Sequence, residues 1–334
     1  MYDMNLFTPQ DMAKCSLVLR QLGRNTASME ATSQKIVKYI YQHFCDSQTG
    51  ENTCVLVRLF KTHPYGELED SSQQSARRLM NGNSPGADMK CWTLLAAAGA
   101  EPQWNSRHTA AENTAIPLVS TELVAQMPAI SGMIREFGLD IPTVLGIEPE
   151  RFLQLEPAVL NIFHVPEAKD NALIPEQNSL IIPYQVKSVL GFGGLLRSGS
   201  LFAVVISLKV EIPQSTAQMF KYLALSVKTS LSFAEEKIVF DLSENDEKIV
   251  RNNNTYETQI LEHQVTNLIE LLDFSGQEML RQAANFQRTI DKLQHELAGR
   301  KKKQQILQPS QEPFTGLLNI GEDGMVRVED NPGI

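Results

Sequence analysis

One short stretch of the chain, PQWNSRH at residues 102–108, gathers side chains that are suited to holding a small molecule. Trp104 offers a flat face for stacking, Asn105 offers an amide, and Arg107 and His108 offer groups that can carry positive charge. Ligand sites combine aromatic walls with a few polar groups in this way. The stretch predicts a ligand contact in a loop. Core packing of Trp104 and an ion pair of Arg107 with a nearby acid are the alternatives.

Three further candidates for the same pocket lie on segments that are otherwise apolar. Arg58 interrupts the run CVLVRLF, whose alternation is typical of a strand. Phe163 in FHVPEA and Phe192 in GFGG are aromatic candidates on later strands. We therefore expect a ligand, if one binds, to touch the sheet as well as the loop.

Three histidines in this part of the chain, His63, His108 and His164, each stand alone beside apolar or aromatic neighbours. A lone histidine in such a setting is more often a structural group than a ligand. We include all three among the ligand-binding candidates. An axial role for a haem or a metal stays open, because sequence spacing does not test it.

The run Gly191-Phe192-Gly193-Gly194 raises the question of a phosphate-binding loop. Such a loop follows a strand and opens a helix, so that backbone amides and the helix dipole meet the anion. Here the next residues, LLRSGSLFAVVIS, are themselves typical of a strand, and no GK[ST] follows. We predict a bent or bulged strand, where glycine permits a close approach and leaves room for a ligand over the sheet.

The sequence contains no HExxH motif and no paired-carboxylate motif. His263 and His295 lie on a predicted C-terminal helix, and HEL at 295–297 is similar to a phosphoacceptor box. The box is followed by AGRKKK, and the 39 residues after His295 cannot hold an ATP-binding domain. We predict that the chain is not an enzyme and keep a phosphoacceptor role for these histidines as an alternative.

Composition excludes two classes of function. The chain has 334 residues and a formal charge of -9, and nucleic-acid surfaces require the opposite sign. No stretch approaches the ~18 apolar residues of a membrane span, and the N-terminus has no basic region typical of a secretory signal.

The four cysteines form no CxxC pair and show no zinc spacing, so we expect reduced thiols, no metal and a cytoplasmic protein.

Periodicity predicts an α+β fold with a mainly antiparallel sheet. Thr8, Pro9 and Asp11 begin a first helix, and Ser28 precedes a second. Strand-like runs begin at Cys54, in MKCWTLLAAAG and on both sides of the turn at 197–200, which predicts a β-hairpin. Helices are predicted in DSSQQSARRLMNG, in STELVAQMPAISGMIREFG and after Pro213. We expect the helices to lie on one side of the sheet.

The residues from 253 to 305 predict one long helix with a heptad seam, and hence a parallel dimeric coiled coil. The four predicted regions are N-terminal helices (1–48), a sheet domain (49–245), the coiled coil (253–305), and a linker with a flexible tail (306–334). The apolar seam positions are Leu261, Val265, Leu268, Leu272, Met279, Phe286 and Leu293.

The hairpin VKSVLGFGGLLRSGSLFAVVISLKVEIP and the following STAQMFKYLALSVKTSL resemble the last hairpin and closing helix of GAF-type sensory domains. The blocks RLFKTHPYGEL, CWTLLAAAGAEPQWNSRH, AIPLVS and FHVPEA are similar to the rest of a variant found near the N-terminus of bacterial sensor proteins. The resemblance spans roughly residues 30 to 240. It implies a cup of sheet and helices that binds a small molecule or only transmits a signal. It does not extend to bilin or cyclic-nucleotide ligands, whose patterns are absent.

Together these observations predict a non-catalytic module that binds a small ligand or partner. It would relay its state through a dimeric coiled coil to a separate effector of a two-component type. The ligand is not identified by the sequence. The alternatives are a scaffold without a ligand, which recruits a partner through the coiled coil and tail, and a phosphoacceptor helix of a histidine-kinase system.

Overall fold

A six-stranded antiparallel sheet forms the centre of the computed structural model, which describes residues 1–24, 26–82, 85–109, 113–146, 160–235 and 287–300. The α+β class and the antiparallel sheet predicted from the sequence are confirmed. The spatial order of the strands is β3-β2-β1-β6-β5-β4. Their bounds are β1 Cys54–Pro64, β2 Lys90–Gly99, β3 Ala115–Pro117, β4 Leu160–Val165, β5 Ser188–Leu195 and β6 Leu201–Leu208.

Helices cover both faces of this sheet, and each face has its own apolar cluster. One cluster lies under α1, α2 and α7, and the other under α4, α5, α6 and the segment that joins β4 to β5. The helices are α1 Pro9–Gln21, α2 Met29–His43, α3 Asp70–Leu79, α4 Thr121–Ala125, α5 Pro128–Glu136, α6 Ile141–Leu145 and α7 Gln214–Ser232.

The expectation of helices on one side only was therefore wrong. All eight residues of β5 and all eight of β6 are buried, so neither strand has a face turned to water. Strands that are buried on both faces are continuously apolar instead of alternating. The run LFAVVISL in β6 has that composition.

The N-terminal helices share a core with the sheet. The Thr8 hydroxyl accepts from the Asp11 amide while the Asp11 carboxylate accepts from the Thr8 amide, which is the capping box that fixes the start of α1. Just before α1, the ring of Phe7 lies 5.5 Å from Phe44 and 5.5 Å from Phe220 of α7. Residues 1–48, predicted as a region of their own, thus pack against the sheet domain.

The helix predicted in STELVAQMPAISGMIREFG is two helices. The first, α4, ends at Ala125, and α5 begins at Pro128. Proline has no amide hydrogen and clashes with a preceding turn of helix, but it suits the first position of a new one. Pro128 therefore divides the segment. This break matters because α5 covers the cavity described below.

The glycine run lies inside β5 and is followed by strand, as predicted. A methyl group added at Gly193 would lie 2.1 Å from the Phe202 carbonyl oxygen of β6, so the absence of a side chain lets the two strands approach. At Gly191 the space over the sheet is not free, because the Phe163 side chain is 3.3 Å from where a Cβ would stand. The glycines shape the strand, and the aromatic ring of β4 fills the room above it.

The chain divides into two compact units, Met1–Ala283 and Ala284–Ile334. In the second unit residues 287–300 are helical, which agrees with the predicted C-terminal helix over that range. The rest of the predicted coiled coil, and the predicted tail, lie outside the described residues. Within the described part of the chain, no helix is both long and apolar enough to cross a membrane.

Candidate functional site

A cavity of about 510 Å³ lies over the face of the sheet opposite α1, α2 and α7. All six strands contribute a side chain to its floor: Leu56, Arg58, Phe60, Trp92, Ile116, Phe163, Val189, Val205 and Ser207. Side chains of α5 and of the β4–β5 segment form its roof, with Trp104 and Asn113 at other points of the wall: Ala129, Ile130, Met133, Ile174, Pro175, Glu176, Ser179 and Leu180. Its volume is within the ~300–1,000 Å³ of small-molecule sites.

The cavity holds one ion pair among mostly apolar walls. Arg58 of β1 donates through both Nη atoms to the two carboxylate oxygens of Glu176, at 2.7 and 2.6 Å. Burial alone would raise the pKa of the Glu176 carboxyl, but the charge and hydrogen bonds of Arg58 outweigh it and lower the pKa below its usual value. The pair therefore stays ionised and neutral overall at physiological pH.

Aromatic rings line the wall next to this pair. The guanidinium of Arg58 lies 5.6 Å from the ring centre of Phe60, within cation–π range. Phe60 in turn stacks on Trp92, with centroids 5.3 Å apart and planes 10° apart. At the rim, Trp104 packs on Tyr184 at 4.7 Å. The only two tryptophans of the sequence both line the cavity.

The roof segment between β4 and β5 contains an unusual helix. Residues Gln177–Ile181 form a π-helix directly after Glu176, whose carbonyl accepts from the Ile181 amide at 3.1 Å. Such i→i+5 turns are rare and are frequent at functional sites. The Gln177 side chain ties this helix to the carbonyls of Ala168 and Ile174, both at 2.9 Å. Tyr184 anchors the far end, with its hydroxyl 3.1 Å from Glu101.

The structure separates the candidates of the stretch 102–108. Trp104 lines the cavity, whereas Asn105 bonds with the backbone of Gly99 and Glu101 and closes the turn after β2. Arg107 and His108 lie away from the cavity, next to α2 and the start of α3.

Arg107 forms the ion pair that was the alternative to a ligand contact. Its side chain is 1% exposed, and it pairs with Glu30 at 2.9 Å and with Glu69 at 2.5 Å. Burial opposes a charge on Glu69, but hydrogen bonds from Ser71 and Arg107 outweigh it and lower the pKa of the carboxyl. His108, which is about half-exposed, lies 3.9 Å from Glu30 and 3.8 Å from Glu69.

Of the other candidates, Phe163 lines the cavity and three do not. His164 is on the opposite face of β4, with its Nδ1 2.8 Å from Gln214 at the start of α7. Phe192 is fully buried on that same face and packs on Phe220 at 5.5 Å. His63 is fully buried at the end of β1. Adjacent strand residues point to opposite faces, and this alternation places Phe163 and His164 on different sides of the sheet.

We expect the stability of the protein to fall below pH 6.5 because of His63. Burial first, and then the positive charge of Lys61, holds the pKa of His63 well below 6.5. The folded state stays neutral there while the unfolded chain takes up a proton. The free energy of unfolding should therefore drop by up to about 1.4 kcal/mol per pH unit. Lys61, whose pKa burial lowers to about 8, is protonated in both states over this window and adds no slope.

Urea unfolding between pH 7 and 5 measures this slope, and His63→Gln should flatten it. NMR gives a second readout that does not depend on the variant folding. The imidazole signals of His63 should not shift in the native protein between pH 7 and 5.5. A normal titration of His63 near pH 6.5 would contradict the prediction.

Sequence reasoning missed most of the cavity. Phe60 is two residues from Arg58 on the same strand, so the two-residue period was a usable signal. Trp92 lies on the neighbouring strand and pairs with Thr62, and that register was not predictable. Glu176 is 118 residues from Arg58 and has no local signal at all.

The helix candidates fall mostly outside the described residues. His263 and the seam positions Leu261, Val265, Leu268, Leu272, Met279 and Phe286 are not described. His295 and Leu293 lie on the helical residues 287–300 and are exposed. In that range the exposed large apolar side chains are Ile290, Leu293 and Leu297, at steps of three and four.

Metal and haem chemistry gains no support from the described residues. They contain no group of three or more histidine, cysteine, aspartate or glutamate side chains placed to hold a metal ion. None of the cavity-lining residues is a histidine or a cysteine. The described cysteines are free thiols, and burial raises the pKa of Cys54 and Cys91 to about 12.

No family model, curated protein or solved structure matches this chain. The resemblance to GAF-type sensory domains therefore stays a prediction made from the sequence.

Proposed function

We propose that this protein is a non-catalytic sensing module, GAF-like as the sequence resemblance implies. It binds a small ligand in the cavity over the sheet and relays its state through a dimeric coiled coil to a separate effector. The observation that carries the proposal is the cavity itself. It is of ligand size, is floored by all six strands, and holds one ion pair in a largely apolar wall.

The cavity suits binding better than catalysis. Its described polar groups are the paired Arg58 and Glu176, two serines and Asn113, and the rest of the wall is apolar or aromatic. Ser179 and Ser207 supply its hydroxyl groups, and among the described hydrogen bonds none joins either serine to the Glu176 carboxylate, as nucleophilic catalysis by a serine would require. Apolar walls with a few polar groups to orient the bound molecule are the usual composition of a binding site.

The relay is the second part of the proposal. The helical residues 287–300 expose Ile290, Leu293 and Leu297 along one stripe, which is the pattern of a coiled-coil seam. Such a stripe is apolar surface that association would remove from water. We propose that two copies pair through it and that the effector is a separate chain.

Native mass spectrometry of the freshly purified full chain, with an absorbance spectrum of the same sample, tests the ligand part. We expect a dimer that carries a bound small molecule, either from expression or after incubation with the small-molecule fraction of a bacterial extract. Val205→Phe, which adds bulk to the cavity floor, should abolish the bound mass. The absorbance spectrum would report a haem or another chromophore directly.

Leu225→Phe is the matched control, because Leu225 is an exposed residue of α7 and the change enlarges an apolar side chain outside the cavity. It should keep the bound mass. A wild-type chain that retains nothing from the extract would overturn the ligand part and leave the scaffold alternative. A bound mass that survives Val205→Phe in a folded protein would place the ligand elsewhere.

A further inference from the structure

The ion pair of the cavity indicates which chemical class of ligand the cavity can bind. Arg58 is the fixed member of that pair. It belongs to β1, which has a neighbouring strand on each side, and its side chain is 13% exposed. Its guanidinium lies against Phe60 and presents two parallel donors to a planar acceptor. A buried guanidinium without a carboxylate would be strongly destabilising, so Arg58 always needs an acid.

Glu176 is the member that can leave. It lies on the segment between β4 and β5, which is held by loop hydrogen bonds and not by sheet pairing, and its side chain is 37% exposed. A rotation would place its carboxylate in water, and the cost of breaking the two bonds to Arg58 is offset when another carboxylate takes its place on the guanidinium. In water an ordinary glutamate is ionised at neutral pH, so the released carboxylate is an anion, which water solvates well.

We propose that the cavity binds a planar aromatic carboxylate, whose carboxylate group replaces that of Glu176 on the Arg58 guanidinium. This inference rests on the proposed ligand-binding function and narrows its ligand. The exchange keeps the fork of two N–H···O bonds, which is specific to planar carboxylate-like acceptors. It also keeps the net charge next to the apolar wall at zero.

The rest of the wall selects the aromatic body. Phe60 and Trp92 are stacked on each other with centroids 5.3 Å apart, beside the guanidinium, and Trp104 is a further aromatic side chain of the lining. Offset stacking on such faces adds to the burial of apolar area. A flat ring with a carboxylate at its edge can therefore contact Arg58 and the aromatic wall at the same time.

A cationic ligand would fit the pair less well. It would have to bind Glu176 and leave Arg58 without its acid, and Arg58 cannot follow to solvent because it is built into the sheet. A neutral amide would leave both members paired and gain only weak hydrogen bonds at the pair. An anionic ligand is favoured because Arg58 stays in the cavity whereas Glu176 can turn to water.

Calorimetric titration of the full chain with naphthoate, naphthamide and naphthamidine tests the class, since the three share a ring and differ in charge. We expect naphthoate to bind most tightly. Glu176→Gln removes the internal competitor and should strengthen naphthoate binding by about 10-fold, while it weakens or leaves unchanged the amidine. Arg58→Lys keeps the charge but loses the fork and should weaken naphthoate by about 10-fold.

The double variant Arg58→Met with Glu176→Gln removes both charges together and guards against a fold that fails because one charge is left alone. It should bind the carboxylate no better than the amide. Equal binding of carboxylate and amide by the wild type and by Glu176→Gln, tighter binding of the amidine, or no binding of any probe to either protein would overturn the proposed class. In each case a bound mass that Val205→Phe removes would still uphold ligand binding in the cavity, which is the first part of the proposed function.

Discussion

Replacing Arg107 with methionine is expected to lower the free energy of unfolding by about 2–4 kcal/mol. The change removes the buried guanidinium between Glu30 and Glu69 and leaves His108, at 3.8–3.9 Å, as the other basic neighbour, while methionine nearly preserves the volume. Removing one partner of a buried ion pair costs about 3–5 kcal/mol, because the remaining charge is left without compensation. The expected loss is somewhat smaller here, since the Glu30 and Glu69 side chains keep 17% and 26% exposure to water.

Urea unfolding, followed by circular dichroism, measures the change. Arg135→Met is the matched control, because Arg135 is exposed at the end of α5, and its replacement should stay within about 0.5 kcal/mol. Adding Glu30→Gln and Glu69→Gln to the Arg107→Met variant removes the uncompensated charge and should restore part of the lost stability. The non-additivity of the three changes reports the coupling within the cluster.

The result also decides the role of Arg107, which the sequence offered as a ligand contact. A structural arginine that joins α2, α3 and the loop after β2 loses stability when it is replaced, with ligand binding unchanged per folded molecule. A ligand-binding arginine would give a stable variant that no longer binds. An Arg107→Met protein of wild-type stability would therefore contradict the placement of this side chain in the ion-pair cluster.

Local signals were enough to predict much of the fold. The start of α1 follows from Thr8, Pro9 and Asp11 acting on the same few amides, and the β5–β6 hairpin follows from two apolar runs around a Ser-Gly turn. What failed was the side on which the helices pack. The run LFAVVISL of β6 is apolar at odd and even positions alike, which indicates burial on both faces and hence helices on both sides of the sheet.

The site was harder to predict because its residues meet only through the sheet. Trp104 and Arg107 are three residues apart, yet the 3-10 turn Pro102–Asn105 leaves Trp104 at the cavity and Arg107 beside α2. Closeness in sequence was therefore a poor guide within a turn. Conversely, Arg58 and Glu176 form an ion pair although they are 118 residues apart. Glu176 lies on the segment between β4 and β5, where the sequence shows no periodic pattern that would predict its position. An apolar strand with one arginine indicates that an acid must lie nearby, but not where it comes from.

The apolar stripe of the C-terminal helix leads to the second large expected effect. Leu293→Lys should raise the dissociation constant of the dimer by about 100-fold or more. Leu293 belongs to the predicted seam, and in residues 287–300 it lies at the centre of the stripe formed with Ile290 and Leu297. Each dimer would lose two buried leucines and gain two buried charges, and a loss of about 3 kcal/mol already exceeds a 100-fold change in affinity.

Gln294→Lys is the matched control, because it introduces the same charge at the next position, outside the stripe. Multi-angle light scattering over a range of micromolar concentrations should show a dimer for the wild type and for this control, and a monomer for Leu293→Lys. A wild-type chain that is monomeric throughout would contradict the coiled coil. A dimer that survives Leu293→Lys would place the interface elsewhere.

The register of the seam can be settled in the same experiment. The heptad counted from Leu261 places Thr289 on the seam, whereas the exposed apolar side chains place Ile290 there, four residues after Phe286 and three before Leu293. One register cannot use both neighbours, because adjacent residues on a helix point about 100° apart. We expect Ile290→Lys to dissociate the dimer and Thr289→Lys to leave it largely intact, since the apolar area lost from the interface is at Ile290. The opposite result would support the register that places the polar residue Thr289 on the seam. That seam buries less apolar area, so the two helices would shift against each other more easily when a signal passes along them.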